Sequence, residues 1–180
     1  MAHAVGLCGA AVLLWAFSVP GVAVFSTLVG LAMLGVAALL WAVAAQLSHS
    51  AGRTWPLWLP IAPALAIVTL ALLTTRAPLH ARWEFSQDAF DRVVAELPKS
   101  SADTSFEPVK VPERIGGYRI ISANLVPGGV ILYGSNGAFF NDAGFAYLPD
   151  GPNPSLDHGG FESPVFRPLG DGWYRWTASW

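Results

Sequence analysis

Val22–Ala45 reads VAVFSTLVGLAMLGVAALLWAVAA, without a single Asp, Glu, Lys or Arg. A helix rises about 1.5 Å per residue and the hydrocarbon core of a bilayer is about 30 Å thick, so about 20 apolar residues suffice to cross it. This stretch meets that length. Each charge at a helix centre would oppose insertion by about 2.5–3.5 kcal/mol, which makes the absence of charge more telling than average hydrophobicity. The surrounding sequence has the same character. Arg53 is the only Asp, Glu, Lys or Arg before Arg76, and all twelve acidic residues and the other nine basic ones follow. The chain is divided between two solvents, an apolar front and a water-soluble tail.

Two further apolar stretches flank the first, residues 2–19 and 55–75. With Pro20-Gly21 as a tight hairpin between the first pair, the front reads as three transmembrane helices over about 2–19, 22–45 and 55–75. A cleaved signal peptide is the competing reading of residues 2–19, but the basic n-region of such a signal is missing. Ser26 and Gly30, Ala38 and Ala42, and Gly6 and Ala10 stand at the four-residue interval that lets helix backbones approach closely. That spacing serves either packing among the spans or dimerisation, and packing among the spans is the expectation. No ionisable Asp, Glu, Lys or Arg lies inside a span, so an ion or proton pathway through this chain alone is not expected.

Residues 76–84 read as a juxtamembrane linker and 85–180 as one small soluble domain. Its balance is mildly acidic without a basic block, which excludes an electrostatic case for nucleic-acid binding. The single cysteine, Cys8, lies in the first apolar stretch, so the domain has no disulfide. Phe85-Ser86 opens a helix expected over Gln87–Leu97, with Ser86 as its cap, Phe85 and Phe90 at staple spacing, and Pro98 as its stop. Residues 99–108 read as a loop. From Val109 the period changes to two. Tyr118–Val126 and Val130–Gly134 form a hairpin about Pro127-Gly128-Gly129, short strands follow near 138–140, 144–148, 161–166 and 173–179, and 149–160 is an irregular loop. In the last strand Tyr174, Trp176, Ala178 and Trp180 should face the core and the helix. The expected fold class is thus three transmembrane helices followed by a small α+β domain, one helix packed on an antiparallel β-meander.

The spacings that chemistry imposes are missing: no zinc helix, no paired CxxC, no phosphate-cradling loop and no nucleophile elbow. No cofactor, metal or catalytic residue is expected. Polar groups gather at Asn141, Asp142, Asp150, Asn153, Asp157 and His158, where either calcium ligation or ordinary turn chemistry would use the same residue types. His158 with Asp150 or Asp157 is the one acid–base pairing available to a membrane-bound hydrolase. Trp173, Arg175 and Trp176 belong to an aromatic run that either fills the core or offers a stacking platform. Asp142, Asp150, Asp157, His158, Trp173, Arg175 and Trp176 therefore make up the expected contact surface.

The segments Gly144-Phe-Ala-Tyr-Leu-Pro-Asp-Gly151 and Gly172-Trp-Tyr-Arg-Trp176, with Arg114-Ile-Gly-Gly-Tyr118 upstream, resemble those of uncharacterised small multi-pass membrane proteins of actinobacteria. The resemblance implies a tail outside the cytoplasm and no activity. The functional expectation is a plasma-membrane protein presenting an extracytoplasmic binding or accessory domain. Its partners would be the lipid bilayer and another membrane or cell-envelope protein. A subunit role in a larger membrane complex, carried by the helices, is the remaining alternative. Orientation is contested, because Arg76 and Arg82 against Arg53 favour a cytoplasmic tail, whereas the tail's two lysines and its Gly, Pro and aromatic texture favour the outside.

Overall fold

In the computed structural model, which describes residues 1–21, 23–50, 59–100, 106–135, 141–153, 156 and 162–179, the apolar front does not form three spans. Its helices are α1 (Ala2–Ala16), α2 (Val24–Ser50) and α3 (Ile61–Thr74). Among the described residues only α2, with 27 residues, is by itself long and apolar enough to cross a membrane. At 15 and 14 residues, α1 and α3 extend about 22 and 21 Å, short of the roughly 30 Å required. Apolar length overstated helical length. The first run leaves the helix after Ala16, where Ser18 turns its hydroxyl onto the Trp15 carbonyl at 2.8 Å and Pro20-Gly21 follow. The third begins only at Ile61 and breaks after Thr74, with Arg76 at a φ of +54°. Only by being counted with the next helix across that break does α3 reach spanning length.

The chain divides into two compact units, Met1–Ser18 with Val24–Pro78, and Val19–Ala23 with Leu79–Trp180. In the first, α1 packs on α2 through small residues. A Cβ on Gly9 would lie 3.0 Å from the Met33 Cβ, and one on Gly30 would lie 2.7 Å from the Leu13 Cγ. Gly6 faces Ala37 and Leu65, so Gly6 and Gly30 are used for packing within the chain, whereas the Ala38 and Ala42 pair is exposed. Trp41 of α2 donates its indole N–H to the Leu59 carbonyl at 2.8 Å.

The second unit holds α4 (Ala77–Glu84, from Leu79 onward), α5 (Gln87–Glu96) and seven strands: β1 (Glu107–Val109), β2 (Arg114–Ile115), β3 (Tyr118–Val126), β4 (Gly129–Gly134), β5 (Asn141–Tyr147), β6 (Glu162–Gly170) and β7 (Trp173–Ser179). All pairings are antiparallel, in the order β1-β3-β4-β5-β7-β6 with β2 beside β3. This seven-stranded sheet replaces the small meander expected from the sequence. It is larger because β1 and β2 arise in stretches whose two or three residues are too few to show a period. At one margin lies β6, carrying Pro164 and Pro168.

The sheet buries both faces. Trp83 of α4 and Phe90 of α5 cover one, against Tyr118, Ile120, Leu132, Phe145 and Trp173. Trp83 stacks on Phe145 at 4.8 Å between ring centroids, and Phe90 stands edge-on to Phe145 and Trp173 at 5.0 and 5.5 Å. The opposite face gathers Val126, Ile131, Ala146, Leu148, Leu156, Trp176 and Ala178. Thus β7 corrects its expected facing. Trp173 meets the helices, whereas Tyr174, Trp176 and Ala178 fill the core on the far side. In β3 a register shift between Ile120 and Ser122 moves inward residues from even to odd numbers, so Tyr118 and Ile120 share a face with Ala123 and Leu125. Gly144 is held to glycine by the strand beside it, since a Cβ there would fall 1.9 Å from the Leu132 carbonyl oxygen.

Helix α5 starts at Gln87 as expected and ends one residue early, but its expected capping is not made. Ser86 makes no cap bond; its hydroxyl donates to the Arg82 carbonyl at 2.8 Å and accepts from the Gly117 N–H at 3.0 Å. Phe85 is 91% exposed while Phe90 is fully buried, so the staple does not form. Replacing Phe90 by Ala should lower unfolding stability by about 3–5 kcal/mol in denaturant titrations followed by tryptophan fluorescence. Trp83→Phe should be milder, because the buried Trp83 indole N–H has no acceptor to lose among the described residues.

Candidate functional site

Helix α5 turns Asp91, Val94 and Ala95 to one side, at intervals of three and four residues. Leu97 ends the helix in an extended conformation, as the residue before a proline must, and sends Pro98, Lys99 and Ser100 along the same side. Ser100 donates its hydroxyl to the Val126 carbonyl, tying this segment to the end of β3. Facing it are Leu125, Val130 and the turn glycines Gly128 and Gly129, with Tyr147 and Pro149 completing the wall. Together they line an open cleft of about 560 Å³. Such a volume lies in the ordinary range for small-molecule sites, about 300–1,000 Å³.

The cleft's carboxylate is fixed. Asp91 Oδ1 accepts the indole N–H of the fully buried Trp173 at 2.7 Å. The Trp173 ring in turn lies 5.1 Å from that of Tyr147, so two walls are locked to the core beneath. Gly128, at a φ of +80°, supplies the left-handed turn residue of the β3–β4 hairpin. Its Cβ position is open space, which leaves this wall low.

Of the residues expected at the site, none of the described ones lines this cleft. Trp173 and Trp176 are fully buried, and Arg175 is 8% exposed, which removes the two tryptophans as a stacking platform. The Trp176 indole lies 3.2 Å from both the Leu132 and Phe145 carbonyl oxygens. Asp150 is exposed in the turn after β5. Asp142 is half-buried on β5, on the far face from α5. There it adds to the rise in the Tyr133 pKa, which burial mainly causes and a side-chain hydrogen bond with Asn124 opposes. Asp157 and His158 lie outside the described residues, as does any pairing of His158 with Asp150. Among the described residues no three His, Cys, Asp or Glu side chains converge as metal ligands would.

None of the cleft's residues was singled out in the sequence as a binding residue. The signal available was Asp91, a charged residue one position after the buried Phe90, whose role appears only once Trp173 lies beneath it.

No family model, no curated protein and no solved structure matches this chain.

Close to the cleft's helix, Arg82 sets the electrostatics of the core margin. Its guanidinium lies 4.6 Å from the centre of the Tyr118 ring and donates to the Gly117 carbonyl. Burial pushes the Tyr118 hydroxyl well above the ordinary phenol range, and Arg82 only partly offsets this. A group that holds its proton more tightly when folded contributes stability that is complete below the unfolded pKa of about 10 and is lost as pH climbs through and past it. Unfolding stability should therefore fall between about pH 10 and pH 12, and Tyr118→Phe should flatten that decline. A parallel decline in both proteins would assign the alkaline loss to another group. Asp91→Ala should lower stability by about 1–3 kcal/mol by orphaning the Trp173 indole, and Asp91→Asn, which retains an oxygen acceptor, should cost less.

Proposed function

We propose that this chain is a membrane-anchored binding protein, with α2 held in the bilayer and the β-sheet unit presenting the α5 cleft to a small ligand outside the cytoplasm. The supporting observation for anchoring is the surface of α2. Only 11% of its most apolar window is buried, and Phe25, Leu28, Leu31, Val36, Leu39, Leu40, Val43 and Leu47 are exposed. A core helix of a water-soluble protein would have those side chains covered, whereas lipid solvates them directly. Its 27 residues also exceed the apolar core of a secretory leader, about 7–15 residues. For binding, the support is the cleft with its fixed carboxylate.

The placement outside rests on composition: the tail has two lysines, Lys99 and Lys110, and many Gly, Pro and aromatic residues. A second reading has a specific basis. If α2 is the one span, Arg53, Arg76 and Arg82 all follow it, and the charge-bias rule then favours the cytoplasmic side for the sheet.

Three measurements check these readings. The protein should stay in the membrane pellet after alkaline carbonate washing, and replacing Leu39 and Leu40 together by Arg should release it, since each charge opposes insertion by about 2.5–3.5 kcal/mol. A reporter fused after Trp180 separates the two orientations. Ala95→Trp should fill the cleft, leave the near-ultraviolet dichroism of the detergent-solubilised chain intact, and abolish thermal shifts produced by small molecules that bind the unaltered protein. Shifts that survive Ala95→Trp would defeat the assignment of binding to this cleft.

A further inference from the structure

The cleft carries one charge of each sign. Asp91 Oδ1 is engaged by Trp173, and the carboxylate's second oxygen has no partner among the described residues. Lys99 is exposed, and among the described residues its ammonium makes no ion pair or hydrogen bond. Asp91 lies five residues before Glu96, the last residue of α5, about 7.5 Å of helix rise, and Lys99 follows three residues beyond the helix. The two charges therefore line the cleft at separate points, one on the helix and one on the segment that leaves it. Between them the walls are Val94, Ala95 and Leu97 on one side and Leu125 and Val130 on the other.

A ligand that satisfies this arrangement has a positive donor at one end, an acidic group at the other and an apolar body between. An extended peptide advances about 3.3–3.6 Å per residue, so two or three residues set an amino and a carboxyl terminus roughly 7–10 Å apart. We propose that the cleft binds short apolar peptides of two or three residues, with the free amino terminus on the Asp91 carboxylate and the free carboxyl terminus on the Lys99 ammonium. The assignment rests on the reading of the cleft as a binding site and adds its ligand class. Zwitterionic lipid headgroups share the chemistry but hold their charges closer together, on a short polar linker that leaves the apolar walls uncovered.

Calorimetric titration of the full chain in detergent with leucyl-leucine tests the assignment, alongside its N-acetyl form, its C-terminal amide, the doubly blocked peptide and phosphoethanolamine. Leucyl-leucine should bind, and each single block should weaken it by about tenfold to a hundredfold. The Asp91→Asn protein, which keeps an acceptor for Trp173, should no longer distinguish the acetylated from the free peptide. Lys99→Gln should likewise become indifferent to amidation, and phosphoethanolamine should bind more weakly than leucyl-leucine. Equal binding of the free and doubly blocked peptides, tighter binding of phosphoethanolamine, or no binding of leucyl-leucine would each overturn the peptide assignment. If those results came with small-molecule shifts that Ala95→Trp still removes, the cleft would remain a binding site for another ligand. Without such shifts, both readings fall.

Discussion

Phe90 is where the helices and the sheet meet, and the rest of the soluble unit is arranged around that contact. Its ring lies 5.0–6.0 Å from those of Trp83, Tyr118, Phe145 and Trp173, so one side chain from α5 touches α4 and strands β3, β5 and β7 together. Edge-on and offset rings at such distances add about 0.5–1.5 kcal/mol per pair beyond the area they bury. Position is the larger consequence. With Phe90 locked, Asp91 is delivered over the Trp173 indole, and the helix face three and four residues on becomes a wall of the cleft. The site is thus an extension of the core.

The sheet beneath is buried on both sides, which is unusual for an antiparallel sheet, where one face commonly meets water. Alternation therefore does not separate inside from outside along β4, where Val130 and Leu132 serve one core and Ile131 and Tyr133 the other. It separates two cores. This explains why the aromatic run of β7 could be seen as core-forming in the sequence yet be assigned the wrong face. Trp173 and Trp176 differ in parity, both are fully buried, and only the helices above Trp173 tell the faces apart.

Local chemistry made several elements legible. Pro98 marked the end of α5, and β-branched residues around Pro127-Gly128-Gly129 marked the β3–β4 hairpin, whose two strands close where expected. Charge partition likewise located the apolar front. It could not locate helix ends, because Phe17 to Val19 is as free of charge as the residues before it and leaves the helix through backbone geometry. The Ser86 cap failed for a tertiary reason: Gly117, from a turn thirty-one residues away, takes the hydroxyl that a local reading assigns to the helix. The cleft was hidden in the same way. Val94, Leu125 and Tyr147 are distant in sequence, and each reads alone as an ordinary core position.

Pro164 and Pro168 lie on β6, the outer strand beyond β7, and neither has an amide hydrogen to offer. A bare strand margin is a template on which another copy can continue the ladder. Two missing donors along β6 leave gaps in any such continuation, so this edge of the sheet is a poor template for a further strand.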